Sequence, residues 1–138
     1  MSTRLPLSFP VTDSQPNAKL TLSIVEHPSN SIYLLSFSSP PDNRLTPSFL
    51  QAWLLALDYV EKNLPNTSVL ITTSEITKFW SNGFNLDLAR STDGFWHRLF
   101  NPLMIKLLTF PIPTIALMNG HTVSYMIIDA DADDRLIS

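Results

Sequence analysis

The sequence predicts one α/β domain whose elements run strand, strand, helix, strand, helix, strand. Three observations carry that prediction: two short alternating segments flank a proline-containing turn near the N-terminus, a long stretch opening on Thr46-Pro47 is apolar at helical steps, and β-branched or apolar runs follow each helical stretch as parallel strands follow crossovers. At roughly 100 to 200 residues per domain, a length of 138 residues allows one domain and leaves no room for two.

Met1 to Asn17 carries Pro6, Pro10 and Pro16 among Ser, Thr and Asp and is expected to form a loose arm. Lys19 to Glu26 alternates polar and apolar residues. It is followed, after His27-Pro28-Ser29-Asn30, by Ser31 to Phe37, the pattern of an antiparallel hairpin. Pro40-Pro41 lacks the donors a ladder needs, so the chain must turn between Ser39 and Arg44. Thr46 is placed to cap a helix with Pro47 at its first position, and Phe49, Leu50, Trp53, Leu54, Leu57 and Val60 then mark one buried helical face up to Pro65. Ser68 to Thr73 reads as a buried parallel strand, with Ile76 to Trp80 as a second short strand. Gly94 to Phe110 is again apolar at helical steps, kinked or divided at Pro102, and Pro113 to Met118 reads as another buried strand.

Composition excludes several classes. The hydrophobic share of 44% is that of a globular chain, and nine basic against twelve acidic residues give a net charge of -3 with no basic cluster, which argues against nucleic acid as a partner. The absence of cysteine removes disulfide scaffolds and thiolate zinc sites, and His27, His97 and His121 lie far apart without ligand-like neighbours, so no metal site is expected. No apolar run approaches the roughly 20 residues that would span a bilayer, so the chain reads as soluble, not secreted and without membrane association.

Chemistry concentrates in two segments. Phe79-Trp80-Ser81-Asn82-Gly83-Phe84-Asn85-Leu86-Asp87 lies between a strand and a helix, where backbone amides can point outward, and Gly83 permits the bend. Asn-Gly is also a common two-residue hairpin turn, and this segment alone leaves both readings open. Pro111-Ile112-Pro113-Thr114-Ile115-Ala116-Leu117-Met118-Asn119-Gly120-His121 places a second turn after a second strand, and two such turns can bracket one site at the carboxyl ends of the strands.

Together these segments resemble the enoyl-CoA hydratase/isomerase (crotonase) family, nearest its plant and fungal delta-3,delta-2-enoyl-CoA isomerase branch. Pro41-Asp42-Asn43-Arg44-Leu45-Thr46-Pro47 is similar to the loop before that family's first helix, and Arg98 with Leu107 to Phe110 adds to the match, which runs from Leu20 to about Thr122. The resemblance implies a partial ββα spiral, truncated before a C-terminal helical part, with a loose arm at 1–17, a half-domain at 18–122 and a divergent acidic tail at 123–138. It implies an acyl-CoA thioester as ligand, no cofactor beyond the coenzyme A of the substrate, and homo-oligomers among full-length members. It also implies two backbone N–H donors for the thioester oxygen, which fall by position on Phe84 and Tyr125. Such donors stabilise the enolate formed when a proton leaves the carbon beside a thioester, each worth roughly 10²- to 10³-fold in rate. Pro41, Asp42, Arg44, Ser81, Asn82, Gly83 and Leu86 are the residues expected to hold the substrate, Arg44 toward a CoA phosphate.

The chain departs from the family pattern at the second donor, where small residues and Gly are usual and Ser124-Tyr125-Met126 stands instead. The family's catalytic Glu lies after the second motif and has no counterpart here. Asp87 is assigned to the start of a helix, and Asp58 and Glu61 to solvated positions on the helix after Pro47. His121 is read as a structural hydrogen-bonding residue, His97 as an exposed helical residue, and Trp53, Trp80, Trp96, Phe95 and Phe100 as core in preference to an acyl tunnel. The acidic alternation from Asp129 to Asp134 lacks the Gly and Glu of a calcium loop.

The function expected is therefore that of an acyl-CoA-binding relative of the isomerases that convert 3-enoyl-CoA to trans-2-enoyl-CoA in β-oxidation, with catalysis impaired or absent. The alternatives are a non-catalytic truncated isoform acting as an interaction module, or a fragment of an active isomerase. Resemblance points to peroxisome or mitochondrion. The ending Arg135-Leu136-Ile137-Ser138 is not of the Ser-Lys-Leu kind, and a lost signal would leave the chain cytoplasmic.

Overall fold

A computed structural model describes residues 5–25, 27–28 and 31–123. In chain order they form β1 (Leu7–Pro10), β2 (Lys19–Ile24), β3 (Ile32–Ser38), α1 (Pro47–Asn63), β4 (Val69–Ser74), β5 (Phe79–Ser81), α2 (Leu86–Ser91), a π-helical turn (Phe95–Phe100), α3 (Asn101–Leu108), β6 (Thr114–Ala116) and β7 (His121–Thr122). The main sheet has the order β1-β2-β3-β4-β6, and β5 and β7 form a separate two-stranded sheet.

The expected hairpin is present: β2 and β3 pair antiparallel from Lys19 opposite Ser38 to Ile24 opposite Tyr33. The pairing then switches to parallel, β3 with β4 and β4 with β6, as crossover connections require. Leu20, Leu22, Leu35, Phe37 and Leu70 alternate onto the face that meets α1 and are fully buried.

The first residues differ from the loose arm expected. Leu7 to Pro10 pairs antiparallel with β2, Val11 is buried and bonds to the Ala18 carbonyl at 2.9 Å, and Phe9 packs edge-on against Tyr59 of α1. Leu5, Leu7, Phe9 and Val11 do alternate with period two. The prolines obscured that signal, yet an edge strand tolerates Pro10 because only one side of it needs donors.

α1 forms as its sequence dictates. Thr46 has extended backbone angles, its hydroxyl accepts from the Phe49 N–H at 3.2 Å, and Pro47 occupies the first turn, where its missing donor costs nothing. Asp13 reinforces this end by accepting from the Thr46 hydroxyl and the Ser48 N–H. Phe49, Trp53 and Phe37 pack at ring separations of 5.0 to 6.3 Å, and Trp80 adds a fourth ring 5.2 Å from Phe37. Such pairs contribute about 0.5–1.5 kcal/mol each beyond area burial. Trp53, Trp80 and Phe95 are thus core residues, while Trp96 remains partly exposed.

The second helical stretch is divided, and Pro102 explains how. An uninterrupted α-helix would bring the Pro102 ring against the carbonyl of Arg98. Instead the chain widens to a π-helical turn through Phe100, the Asn101 N–H bonds to the Trp96 carbonyl five residues back, and Pro102 sits in the first turn of α3. α3 is tied to α1 by Lys106, which donates to Asp58 at 3.1 Å and Glu61 at 2.7 Å, while Lys62 reaches Asp58 at 3.4 Å. Asp58 and Glu61 are half-exposed, in keeping with the solvated positions expected of them, and in addition form an interhelix ion cluster.

The strand expected to be buried at Pro113 to Met118 is instead a short strand bonded only to β4 among the described residues. Ile115 within it and Leu117 and Met118 just after it are exposed. No helix among the described residues is long and apolar enough to cross a membrane.

Candidate functional site

β5 ends in Ser81 and the chain bends through Asn82 and Gly83 into α2. Gly83 has φ of +83°, a conformation that L side chains rarely adopt, and Asn85 caps α2 by accepting from the Leu88 N–H at 3.1 Å. The Asn82-Gly83 segment is therefore a strand-to-helix turn and not a hairpin, because β5 pairs parallel with β7. Asp87 falls in the first turn of α2, as assigned.

The second motif lies directly alongside. The His121 N–H bonds to the Lys78 carbonyl at 2.8 Å and the Val123 N–H to the Ser81 carbonyl at 3.1 Å. Gly120 allows this approach: a Cβ there would lie 2.9 Å from the backbone of Lys78 and Phe79. The two turns meet where a Cβ on Gly83 would stand 3.5 Å from the Val123 carbonyl.

The loop before α1 closes the third side. Asn82 donates through its backbone to the Asp42 carbonyl and through its side chain to the Asp42 carboxylate, both at 2.9 Å. The Leu45 N–H bonds to the Gly83 carbonyl at 2.8 Å, and Leu45 forms a parallel bridge with Phe84. Arg44 pairs with Asp42 at 3.2 Å and donates to the Phe84 carbonyl at 3.2 Å, so its guanidinium braces this peptide as well as facing solvent. The Phe84 ring turns inward against Phe95, Trp96 and Phe100.

The residues expected to bind substrate divide into three groups. Pro41, Asp42 and Arg44 line one wall of a surface cleft of about 410 Å³, with Asp13, Pro16 and Asn85 among the residues opposite and beside them. Ser81, Asn82 and Gly83 form the adjoining turn, and Leu86 is exposed at the start of α2. Ser81 is corrected from ligand contact to turn support: it is fully buried, its hydroxyl donates to the Asn43 carbonyl at 2.7 Å and accepts from the Gly83 N–H at 3.1 Å. Tyr125 and the acidic stretch from Asp129 lie outside the described residues.

Three supporting residues were absent from the set read from sequence. Asn43 is fully buried with φ of +52°, Ser74 ends β4, and the Asn119 side chain accepts from the Ser74 N–H at 3.3 Å and donates to the Ser74 carbonyl at 2.8 Å. Asn following Pro-Pro-Asp was a usable signal for a left-handed position, since Asn tolerates it better than most residues. Ser74 carried no such signal. His121 is exposed, with its ring 5.7 Å from that of Phe79, and His97 is exposed on the π-helical turn. Among the described residues no group of three or more His, Asp or Glu side chains comes together in a way that could hold a metal ion.

These features define an α/β protein with a site built from paired backbone turns at the ends of two short parallel strands, beside an open cleft. No protein-family model matches the chain. It is 35% identical to Enoyl-CoA delta isomerase 3 of Arabidopsis thaliana over 100 residues, covering 67% of this chain and 42% of the relative. It is 34% identical to Enoyl-CoA delta isomerase 2, peroxisomal, of the same plant over 112 residues, covering 75% and 46%. The crystal structure of an enoyl-CoA hydratase from Geobacillus kaustophilus superposes with a TM-score of 0.66 at 25% identity, covering 82% of this chain and 42% of that one. The fold is a partial crotonase fold, and the chain belongs to the enoyl-CoA hydratase/isomerase (crotonase) family. It spans less than half the length of these curated relatives.

Proposed function

We propose that this protein binds an acyl-CoA thioester at the paired turns and has little or no isomerase activity of its own. The observation that carries the reading is the docking of the second motif on the first through His121 to Lys78 and Val123 to Ser81, which brings both sequence motifs to one place. In this reading the Phe84 N–H donates to the thioester oxygen, and Tyr125 supplies the second donor by position. Pro41, Asp42, Arg44, Asn82, Gly83 and Leu86 surround the CoA-bearing part of the ligand, with Arg44 at the cleft wall. Coenzyme A enters as part of the substrate, with no separate cofactor.

Weak catalysis follows from how the nearby carboxylates are used. Asp42 is engaged by Arg44 and Asn82, and Asp13 by Thr46 and Ser48, so neither is disposed to shuttle a proton between two substrate carbons. The chemistry of the full-length relatives would be conversion of 3-enoyl-CoA to trans-2-enoyl-CoA in β-oxidation, and the peroxisomal name of one of them supports a peroxisomal setting. Calorimetric titration with a medium-chain acyl-CoA, beside an absorbance assay for the conjugated product of 3-enoyl-CoA, tests the proposal. Binding without turnover is the expected result. Turnover would make the chain an isomerase, and absence of binding would leave an interaction module.

A further inference from the structure

We infer that Asn43 is a positioning residue for the thioester-oxygen donor at Phe84, acting through Ser81 and Ser74; the inference rests on the acyl-CoA reading above. Every polar group of the Asn43 side chain is bonded inside the protein. Its Oδ1 accepts from the Ser39 N–H at 2.8 Å, and its Nδ2 donates to the Ser74 hydroxyl at 2.8 Å and the Trp80 carbonyl at 2.9 Å. Its main-chain carbonyl accepts from the Ser81 hydroxyl, which in turn receives the Gly83 N–H, so Asn43 holds the Asn82–Gly83 peptide through one oxygen atom, one peptide before the Gly83–Phe84 peptide that carries the donor and whose carbonyl accepts from the Leu45 N–H.

The other branch reaches the second turn. The Ser74 hydroxyl donates to the Phe79 carbonyl at 2.7 Å and accepts from the Ile76 N–H at 2.9 Å as well as from Asn43, which uses its one proton and both lone pairs. The backbone of the same Ser74 is held by the Asn119 side chain, one residue before Gly120. Asn43 thus reaches the first turn from its main-chain carbonyl through the Ser81 hydroxyl, and the second from its side-chain amide through Ser74, whose backbone Asn119 holds. A fully satisfied buried network of this kind fixes one geometry, and a carbonyl-binding site depends on donor placement at the scale of a few tenths of an ångström. Asn43 itself lines neither the cleft nor its rim.

The test compares a medium-chain acyl-CoA thioester with the matching thioether, which lacks the carbonyl oxygen, by calorimetry on the full chain. The wild-type protein is expected to prefer the thioester by roughly tenfold, the worth of a hydrogen bond to a well-placed acceptor. Asn43→Gly keeps the left-handed backbone and deletes the amide, and Ser81→Ala cuts the branch to Gly83. Both are expected to bring the thioester-to-thioether ratio close to one while thioether affinity holds, and to abolish the infrared shift of the bound thioester carbonyl. A destabilised control remote from the turns, Lys106→Met, is expected to keep the wild-type ratio. If Asn43→Gly fails to fold, Ser81→Ala carries the comparison. A wild-type ratio in folded variants overturns the positioning role and leaves the acyl-CoA reading standing, whereas a wild-type protein that binds neither ligand, or both equally, overturns that reading and the inference with it.

Discussion

Two of the chain's three glycines sit at the paired turns, and they are required for different reasons. Gly83 supplies a backbone conformation with φ of +83°, whereas Gly120 supplies space against the Lys78 and Phe79 backbone. Gly120→Ala cannot be relieved by rotating a side chain, because the atoms it meets are main chain, so β7 must lift away from β5. A loss of about 1–3 kcal/mol is expected from overpacking of this kind, read as a lower urea midpoint. Gly83 was legible from sequence as the bend in its motif, since a glycine between a strand and a helix has few other uses. The close approach at Gly120 was not, because it depends on a segment some forty residues away in sequence. Beyond the left-handed position that Asn after Pro-Pro-Asp signals, the roles of Asn43 and Ser74 escaped because the partners that tie them to the turns, Trp80 and Ser81 for Asn43 and Asn119 for Ser74, are distant in the chain.

Among the elements, α1 and α3 are joined by a charge cluster with a defined pH response. Hydrogen bonding from Lys106, helped by its charge and by Lys62, holds the Asp58 carboxyl below its ordinary value of 3.8. Its stabilising contribution is therefore complete above the unfolded-state value and is lost as pH falls through the lowered one. Lys106 is pushed above 10.5, chiefly by its hydrogen bond to Glu61, so its contribution holds below that value and is lost as pH rises through the raised one. Because the carboxylates are half-exposed, Lys106→Met is expected to cost no more than about 1 kcal/mol near neutral pH. The difference from wild type should shrink at both pH extremes in thermal unfolding, and a constant difference across the pH range would show that packing of the lysine stem dominates. The helix over Pro47 to Asn63 was legible because cap, proline and apolar stripe agree locally. The π-helical turn was not, since the sequence shows only that Pro102 must interrupt the helix and leaves open whether the chain bends or widens.

At the scale of the molecule, the apolar side chains left exposed gather toward the C-terminal end of the described residues. Ile115 in β6 and Leu117 and Met118 just after it stand at 51%, 52% and 44% exposure, and Ile105 and Leu108 project from α3 at 61% and 58%. An edge strand with apolar neighbours invites association. Sedimentation velocity is expected to show concentration-dependent self-association, and Ile115→Lys combined with Leu117→Lys to shift the protein toward the monomer. A wild-type protein that remains monomeric over a wide concentration range would remove this surface as an interface.

The sequence by itself determined the order of the main elements, the β2–β3 hairpin, the capped helix and both motif segments, because each depends on residues within one or two turns of one another. Periodicity, proline position and a left-handed glycine are local constraints, and local constraints survive in a linear pattern. Tertiary structure alone decided that the first residues join the sheet, that Ser81 supports a turn when contact with ligand was expected, and that Asn43 links both motifs. It also decided which apolar strand stays exposed. Those outcomes rest on pairings between segments far apart in the chain, where burial and donor–acceptor geometry choose among arrangements that the residue pattern leaves equally open.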